Sequence, residues 1–216
     1  MFTLALPLAI LQPPFFHPEA PEALNYGALG SAIGHELTHH FDDQGASYGP
    51  RGNLVVSGEG PGSGWFSAET KRRFRERADC FVEQYGSIET EEEVGGHRRR
   101  LNGSSTLGEN ISDNGGLRAA TLAFQKVVAS GPPVEADYRL PQLETTTPEQ
   151  LFFLAYAGNW CSAYRAEALA RHLAHNPHLP GVYRTNVSLA NSEAFARAFS
   201  CPPGSPMNPP RKCRLW

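Results

Sequence analysis

Between Leu29 and Phe41 large apolar residues return every fourth position, at Leu29, Ile33, Leu37 and Phe41, which is the stripe of an amphipathic helix. Phe74, Ala78, Phe81 and Tyr85 lie on one face of a second predicted helix, and Ser67 stands ahead of it as N-cap. A third is predicted to start near Leu107 and run through Val128, with Ile111, Phe124 and Val127 among its apolar positions. Its Gly115-Gly116 pair costs about 1 kcal/mol per glycine in helix propensity, a loss that close packing against a neighbour would offset. The stretch TPEQLFFLAYAGNWCSAYRAEALARHL opens with a capping box: Thr147 as N-cap, Pro148 at N1 and Gln150 at N3. A short helix is expected after Asn191, followed by a proline-rich tail. Strand signals are few. MFTLALPLAILQPPFF reads as a buried strand followed by a Pro-Pro turn, and Gly45 through Gly64 as a loop with a short strand at NLVV. The expected class is mainly α with a small amount of β.

A length of 216 residues suits one domain with a sizeable core, and 40% hydrophobic against 19% charged residues is a globular balance. A net charge of −3 gives no bulk attraction to nucleic acid or to an anionic membrane. The runs Lys71-Arg72-Arg73 and His97-Arg98-Arg99-Arg100 are short and read as solvated surface. The apolar N-terminal run has no basic region before it and no small-residue cleavage site, is too short to span a membrane, and is interrupted by Pro7. Gly27, Gly30 and Gly34 lack the GxGxxG spacing of a phosphate loop. Four cysteines with no CxxC pair argue against a structural zinc knuckle and permit two disulfides. Sequons at Asn102 and Asn186 fit a secreted or luminal chain, whereas the one at Asn110 falls inside a helical pattern.

The chemistry concentrates in GHELTHHFDDQG. His35 and His39 stand one helical turn apart on one face, so two imidazoles can bind one Zn²⁺ with Glu36 beside a water that the metal acidifies. Leu37 is about 200° around the helix from His35, so the imidazoles are expected to face away from the apolar stripe, toward a cleft or solvent. His40 is rotated off the ligand face. A catalytic zinc needs a third protein ligand, and LGENISDNGG offers Glu109 and Asp113, again at i and i+4. One carboxylate could meet the metal and the other a ligand imidazole N–H. The bland alternative is that the helix dipole favours acids in the first turn.

HELTHHFDDQG, LGENISDNGGL and CPPGSPMNPPRKCRLW, in that order, resemble the neprilysin and endothelin-converting enzyme family of zinc metallopeptidases, and the resemblance runs from LAILQPPFF to Trp216. It implies that residues 1–216 are the C-terminal catalytic portion, a partial zincin-type (thermolysin-like) lobe. The family's N-terminal lobe, its membrane anchor and its Asn-Ala-aromatic substrate-binding motif would lie outside these residues. The resemblance also implies one Zn²⁺ per chain held by His35, His39 and Glu109, with Glu36 as base. Asp113 would be the carboxylate near His35 and the family's proton donor, and Asp42 would orient His39. In HLPGVYR it implies a transition-state-stabilising His178 and a substrate-binding Arg184; by their residue types alone, a lone His and a lone Arg in a loop are solvated. Expected substrates are short peptides cut on the amino side of large apolar residues, and the expected location is extracellular or luminal. Cys80 is expected to pair with Cys213, leaving Cys161 and Cys201 as thiols whose family partners lie in the N-terminal portion. Two departures stand out: Trp65 alone remains of a Trp-Trp pair, and His40 replaces a small residue. The competing expectation is a catalytically incompetent fragment or a zinc-binding interaction module that needs the missing lobe or a second chain.

Overall fold

The computed structural model describes residues 3–49, 51–54, 66–90, 96–130 and 139–216. Eight α-helices carry this part of the chain: α1 Glu22–Asn25, α2 Ser31–Thr38, α3 Ala68–Gly86, α4 Leu107–Ser130, α5 Pro148–Gly158, α6 Ala166–His175, α7 Gly181–Asn191 and α8 Glu193–Ala198. A π-turn over Tyr26–Gly30 joins α1 to α2, and a 3-10 turn over His39–Phe41 extends α2, so the chain is helical from Glu22 to Phe41.

Several local signals act as expected. Ser67 Oγ accepts from the Thr70 N–H at the start of α3, and Thr147 and Gln150 form both halves of the capping box on α5. On α3, Ala78, Phe81 and Tyr85 are buried and Phe74 packs beside them. Sulfur atoms of Cys80 and Cys213 are bonded, which ties α3 to the C-terminal tail, while Cys161 and Cys201 carry free thiols. The helical stretch that opens at Thr147 is two helices, since α5 ends at Gly158 and α6 begins at Ala166.

Three expectations are corrected. The N-terminal segment is not a buried strand: it makes a 3-10 turn over Leu8–Ile10, and Leu8 is 83% exposed. Pro7, Pro13 and Pro14 offer no N–H, and no strand exists among the described residues to pair with it. The Pro-Pro turn does form, with the N–H groups of Phe15 and Phe16 donating to Gln12 O. Of NLVV, Leu54 makes an isolated bridge to Tyr48; Val55, Val56 and Trp65 lie outside the described residues. The second correction is α7, which takes up GVYR of HLPGVYR and runs on to Asn191, so Arg184 is helical and only His178, Leu179 and Pro180 precede the helix.

The third concerns which face of α2 is buried. Ser31, Gly34, His35 and Thr38 are buried, whereas Leu37 and Phe41 are exposed. Small residues decide this. A Cβ on Gly116 of α4 would sit 2.4 Å from His35 N, and one on Gly34 would sit 2.8 Å from Gly116 O, so only glycines let the two backbones approach this closely. The two hydroxyls on the buried face return to carbonyls of the same continuous helical run: Ser31 Oγ donates to Gly27 O and Thr38 Oγ1 to Gly34 O, each at 2.7 Å. Packing of the Gly115-Gly116 step against α2 is thus the compensation its propensity cost called for. One apolar core lies between α4 and α5, with Phe124 stacked on Phe152 at 5.4 Å between ring centroids. A second joins α3, Ile111 and Leu215 of the tail.

Candidate metal centre

His35 lies near the end of α2 and His39 opens the following 3-10 turn, so one helical turn separates them, as their spacing requires. Their rings stand at 90° with centroids 4.6 Å apart, and their Nε2 atoms approach to 3.0 Å. Helix α4 crosses α2 at Gly34 and Gly116, which brings its first turn alongside. Glu109 Oε2 comes to 3.3 Å from His35 Nε2 and 3.6 Å from His39 Nε2.

The other ring nitrogens are held by carboxylates. His39 Nδ1 meets Asp42 Oδ2 at 2.7 Å, and Ser112 Oγ lies 3.0 Å from the same nitrogen. Asp42 is itself pinned, its Oδ1 accepting from the N–H groups of Gln44 and Gly45. His35 Nδ1 lies 2.9 Å from Asp113 Oδ1, close but off the ring N–H direction, so the attraction is more electrostatic than directional. With both Nδ1 atoms facing carboxylates, the proton belongs on Nδ1 and each Nε2 turns a lone pair inward.

Two imidazole lone pairs and a carboxylate oxygen therefore converge on one point, every ligand atom within 4.8 Å of the others. Glu109 Oε2 is buried and makes no aligned hydrogen bond, although His35, His39, His178 and Arg184 all approach it. A tight group of acceptors with an orphaned buried oxygen fits a cation, and two nitrogens with one oxygen are a donor set that zinc accepts. Without a metal, protons meet the same excess of lone pairs. Burial pulls the His35 imidazole down, but Asp113 and Glu109 outweigh it and its pKa is raised. His39 is raised to about 10, chiefly by the Asp42 hydrogen bond and then by Glu109. Burial would raise Glu109, but His178, His35 and His39 hold it well below the usual carboxylate range.

Glu36 is exposed on α2 between the two histidines. His178, in the turn between α6 and α7, places Nε2 3.0 Å from Glu109 Oε2. Arg184 of α7 is buried, not solvated: Nε and Nη2 donate to Asp113 at 2.7 and 2.6 Å, and its guanidinium lies 3.7 Å over the Trp160 ring. Seven of the sequence-predicted residues (His35, His39, Asp42, Glu109, Asp113, His178 and Arg184) form one contiguous set, with Glu36 on the same helix turn. Sequence reasoning missed Asn176, Trp160 and Tyr156. Asn176 Oδ1 accepts from both the backbone N–H and Nδ1 of His178, and Tyr156 donates to Arg184 O. An Asn two residues before the histidine was a readable turn signal; nothing in the local pattern marked Trp160 or Tyr156.

Comparison with known proteins agrees with this geometry. The family model described as Peptidase family M13 matches residues 1–215. Neprilysin-1 of Caenorhabditis elegans is 44% identical over 99% of the chain, and human endothelin-converting enzyme 1 is 43% identical over 99%. The chain spans 26% and 25% of those two relatives, about a quarter of their length. Among solved structures, the Mycobacterium tuberculosis zinc metalloprotease Zmp1 in complex with an inhibitor superposes with a TM-score of 0.83 at 37% identity, covering 97% of this chain and 30% of that one. PepO from Lactobacillus rhamnosis superposes with a TM-score of 0.74 at 30% identity, covering 94% of this chain and 28% of that one. The fold, the motif order and the family match agree, and the chain belongs to peptidase family M13.

Proposed function

We propose that residues 1–216 are the C-terminal catalytic portion of a zinc-dependent endopeptidase, holding one Zn²⁺ through His35, His39 and Glu109. The observation that carries this reading is the convergence of those three ligand atoms beside an orphaned carboxylate oxygen. The names of the relatives, a neprilysin, an endothelin-converting enzyme and a zinc metalloprotease, support it. Zinc, when bound, acidifies a water and polarises a peptide carbonyl. Glu36 takes the proton of the attacking water and returns it to the departing amide nitrogen. His178, its Nδ1–H held by Asn176, donates from Nε2 to the developing oxyanion in the form that carries a proton on both ring nitrogens. Asp113 steadies His35 while accepting two hydrogen bonds from Arg184. Arg184 is the substrate-binding arginine that the family resemblance implies. Substrates are short peptides, cut on the amino side of large apolar residues.

An extracellular or luminal location is supported by the Cys80–Cys213 bond, which belongs to an oxidising compartment. Asn102 and Asn186 are exposed and could carry glycans, while Asn110 is 1% exposed and cannot. No helix among the described residues is long and apolar enough to cross a membrane.

One observation favours the second reading, a zinc-binding module that works only with a further lobe or chain. An apolar groove of about 810 Å³ runs along α2 and α4, with Leu37, Phe41, Leu122 and Trp216 exposed in its walls. Glu36→Gln separates the two, since it removes the base and keeps all three ligands. Cleavage of a quenched apolar peptide should fall by about 10²–10⁴-fold while zinc stays near one per chain. Equal cleavage by both proteins would refute the role of Glu36. Zinc bound with no cleavage in either would favour the module.

A further inference from the structure

Arg184, Ser188 and Asn191 stand at i, i+4 and i+7 on α7, hence on one face. That face meets Asp113 and Asn114 of α4 in three rungs. Arg184 donates twice to Asp113. Asn114 Nδ2 donates to Ser188 Oγ at 3.3 Å, and Asn191 Nδ2 donates to Asn114 Oδ1 at 2.9 Å. Asn114 also donates to the hydroxyl of Tyr85 on α3, a side chain with no exposed surface.

Asn191 carries more connections than the other rungs. Its amide exchanges hydrogen bonds with that of Gln84 on α3, 2.9 Å in each direction. Its Oδ1 also accepts from the Cys213 N–H at 3.0 Å, and Cys213 is bridged to Cys80 of α3. The oxygen and the amino group of Asn191 are thus each used twice, by α3, α4 and the tail. A polar network satisfied in this way specifies one register. Slipping α7 by one turn, about 5.4 Å, would break every rung together and withdraw Arg184 from Asp113.

We propose that Asn191 is a positioning residue for the metal centre. It sets the axial register of α7 against α4, so that Arg184 reaches Asp113 and Asp113 stays on His35. Arg184 lies seven residues away, about 10 Å along the helix, so Asn191 acts through it and not by contact. The inference rests on His35, His39 and Glu109 being the metal ligands.

The test uses the full chain loaded with Co²⁺, whose visible absorption reports coordination geometry, beside Phe153→Leu as a destabilised control in the other core. Asn191→Ala should weaken Co²⁺ affinity by about 10–100-fold, the range for residues that support metal ligands, and shift the bands. Asn191→Asp keeps the acceptor for Cys213 but loses both donors, so it should fall between and covers the case in which the alanine variant does not fold. Phe153→Leu should leave the bands and the affinity at the parent's values despite a lower Tm. In the metal-free chain, exchange of the Arg184 Nε–H proton with solvent should quicken at least about tenfold in the Asn191 variants alone. Unchanged bands, affinity and exchange in those variants, or an equal change in Phe153→Leu, overturns the proposal. A parent chain that binds no Co²⁺ overturns the metal reading itself and the reach of Asn191 to it, while the Arg184 exchange still decides the register.

Discussion

On one face of α2, Ser31, His35 and Thr38 are 4%, 7% and 9% exposed, while on another Leu37 is 48% exposed and Phe41, in the turn that follows, 38%. The usual order is reversed across one helix. The polar face can be buried because its hydroxyls return to helix carbonyls, its imidazole meets two carboxylates, and glycines on both helices let α4 come close. The apolar side is open: Leu37 and Leu122 are 48% and 46% exposed in the groove, and Trp216 stays 43% exposed even with Phe41, Phe66 and Phe74 beside it. Burial here follows the pairing of polar atoms and the fit of backbones, not hydropathy alone. The two sides should therefore respond to substitution very differently.

The largest effect is expected where the polar side holds its charges. Asp113 is 3% exposed and stands between His35 and Arg184, which is 7% exposed. Asp113→Ala leaves the guanidinium against Trp160 with no carboxylate of its own, and breaking a buried pair in this way costs about 3–5 kcal/mol. Urea unfolding of the chelator-treated chain would measure it. A loss below about 1 kcal/mol, as for exposed pairs, would mean that water reaches this face and that the contrast is weaker than the burial suggests.

Much of this side was legible in the sequence, for a physical reason: His35/His39 and Glu109/Asp113 each act within one helical turn, so spacing alone fixes their shared faces. Caps at Ser67 and Thr147 are equally local. What stayed hidden depends on distant chain. GVYRTNVSLAN contains two valines, a threonine and an opening glycine, weak helix formers, and α7 is held by Asn114, Gln84 and the tail. Arg184 for that reason read as solvated when it is buried. The N-terminal segment has the pattern of a strand, but a strand needs a neighbour, and none stands beside it among the described residues. The faces of α2 were reversed because Gly34 reads as a weak helix residue, and only Gly116 across the seam makes it a contact.

The next effect sharpens the electrostatic half of the comparison. In the metal-free chain His39 is raised from 6.5 to about 10 by Asp42 and Glu109. A raised pKa means that the folded state binds the proton more tightly than the unfolded chain does. The resulting stability is fully present below about pH 6.5 and is lost as pH climbs toward 10. His35, also raised, acts in the same direction. The Tm of the chelated chain should fall across that window, and His39→Gln should flatten the fall. Zinc binding at pH 8 should release protons into a weak buffer, because metal and proton compete for the same lone pairs. A Tm that holds or rises across the window would contradict the sign.

The smallest effect is expected on the apolar side, and it is the sharper half of the contrast. Leu122 projects from α4 into the groove and is 46% exposed, so replacing it removes little buried surface. Glutamine keeps nearly the same helix propensity as leucine, which leaves α4 unperturbed. Leu122→Gln should therefore change unfolding free energy by no more than about 0.5 kcal/mol, the range of ordinary surface substitutions. Metal content should not change, since the ligands sit on the other side of the α2–α4 seam. Urea unfolding and metal quantification of this variant beside Asp113→Ala would place both sides on one scale. If Leu122→Gln instead cost more than about 2 kcal/mol, as truncation of a buried leucine does, the groove would be closed in solution by apolar contact, and the contrast between the two sides would fail there.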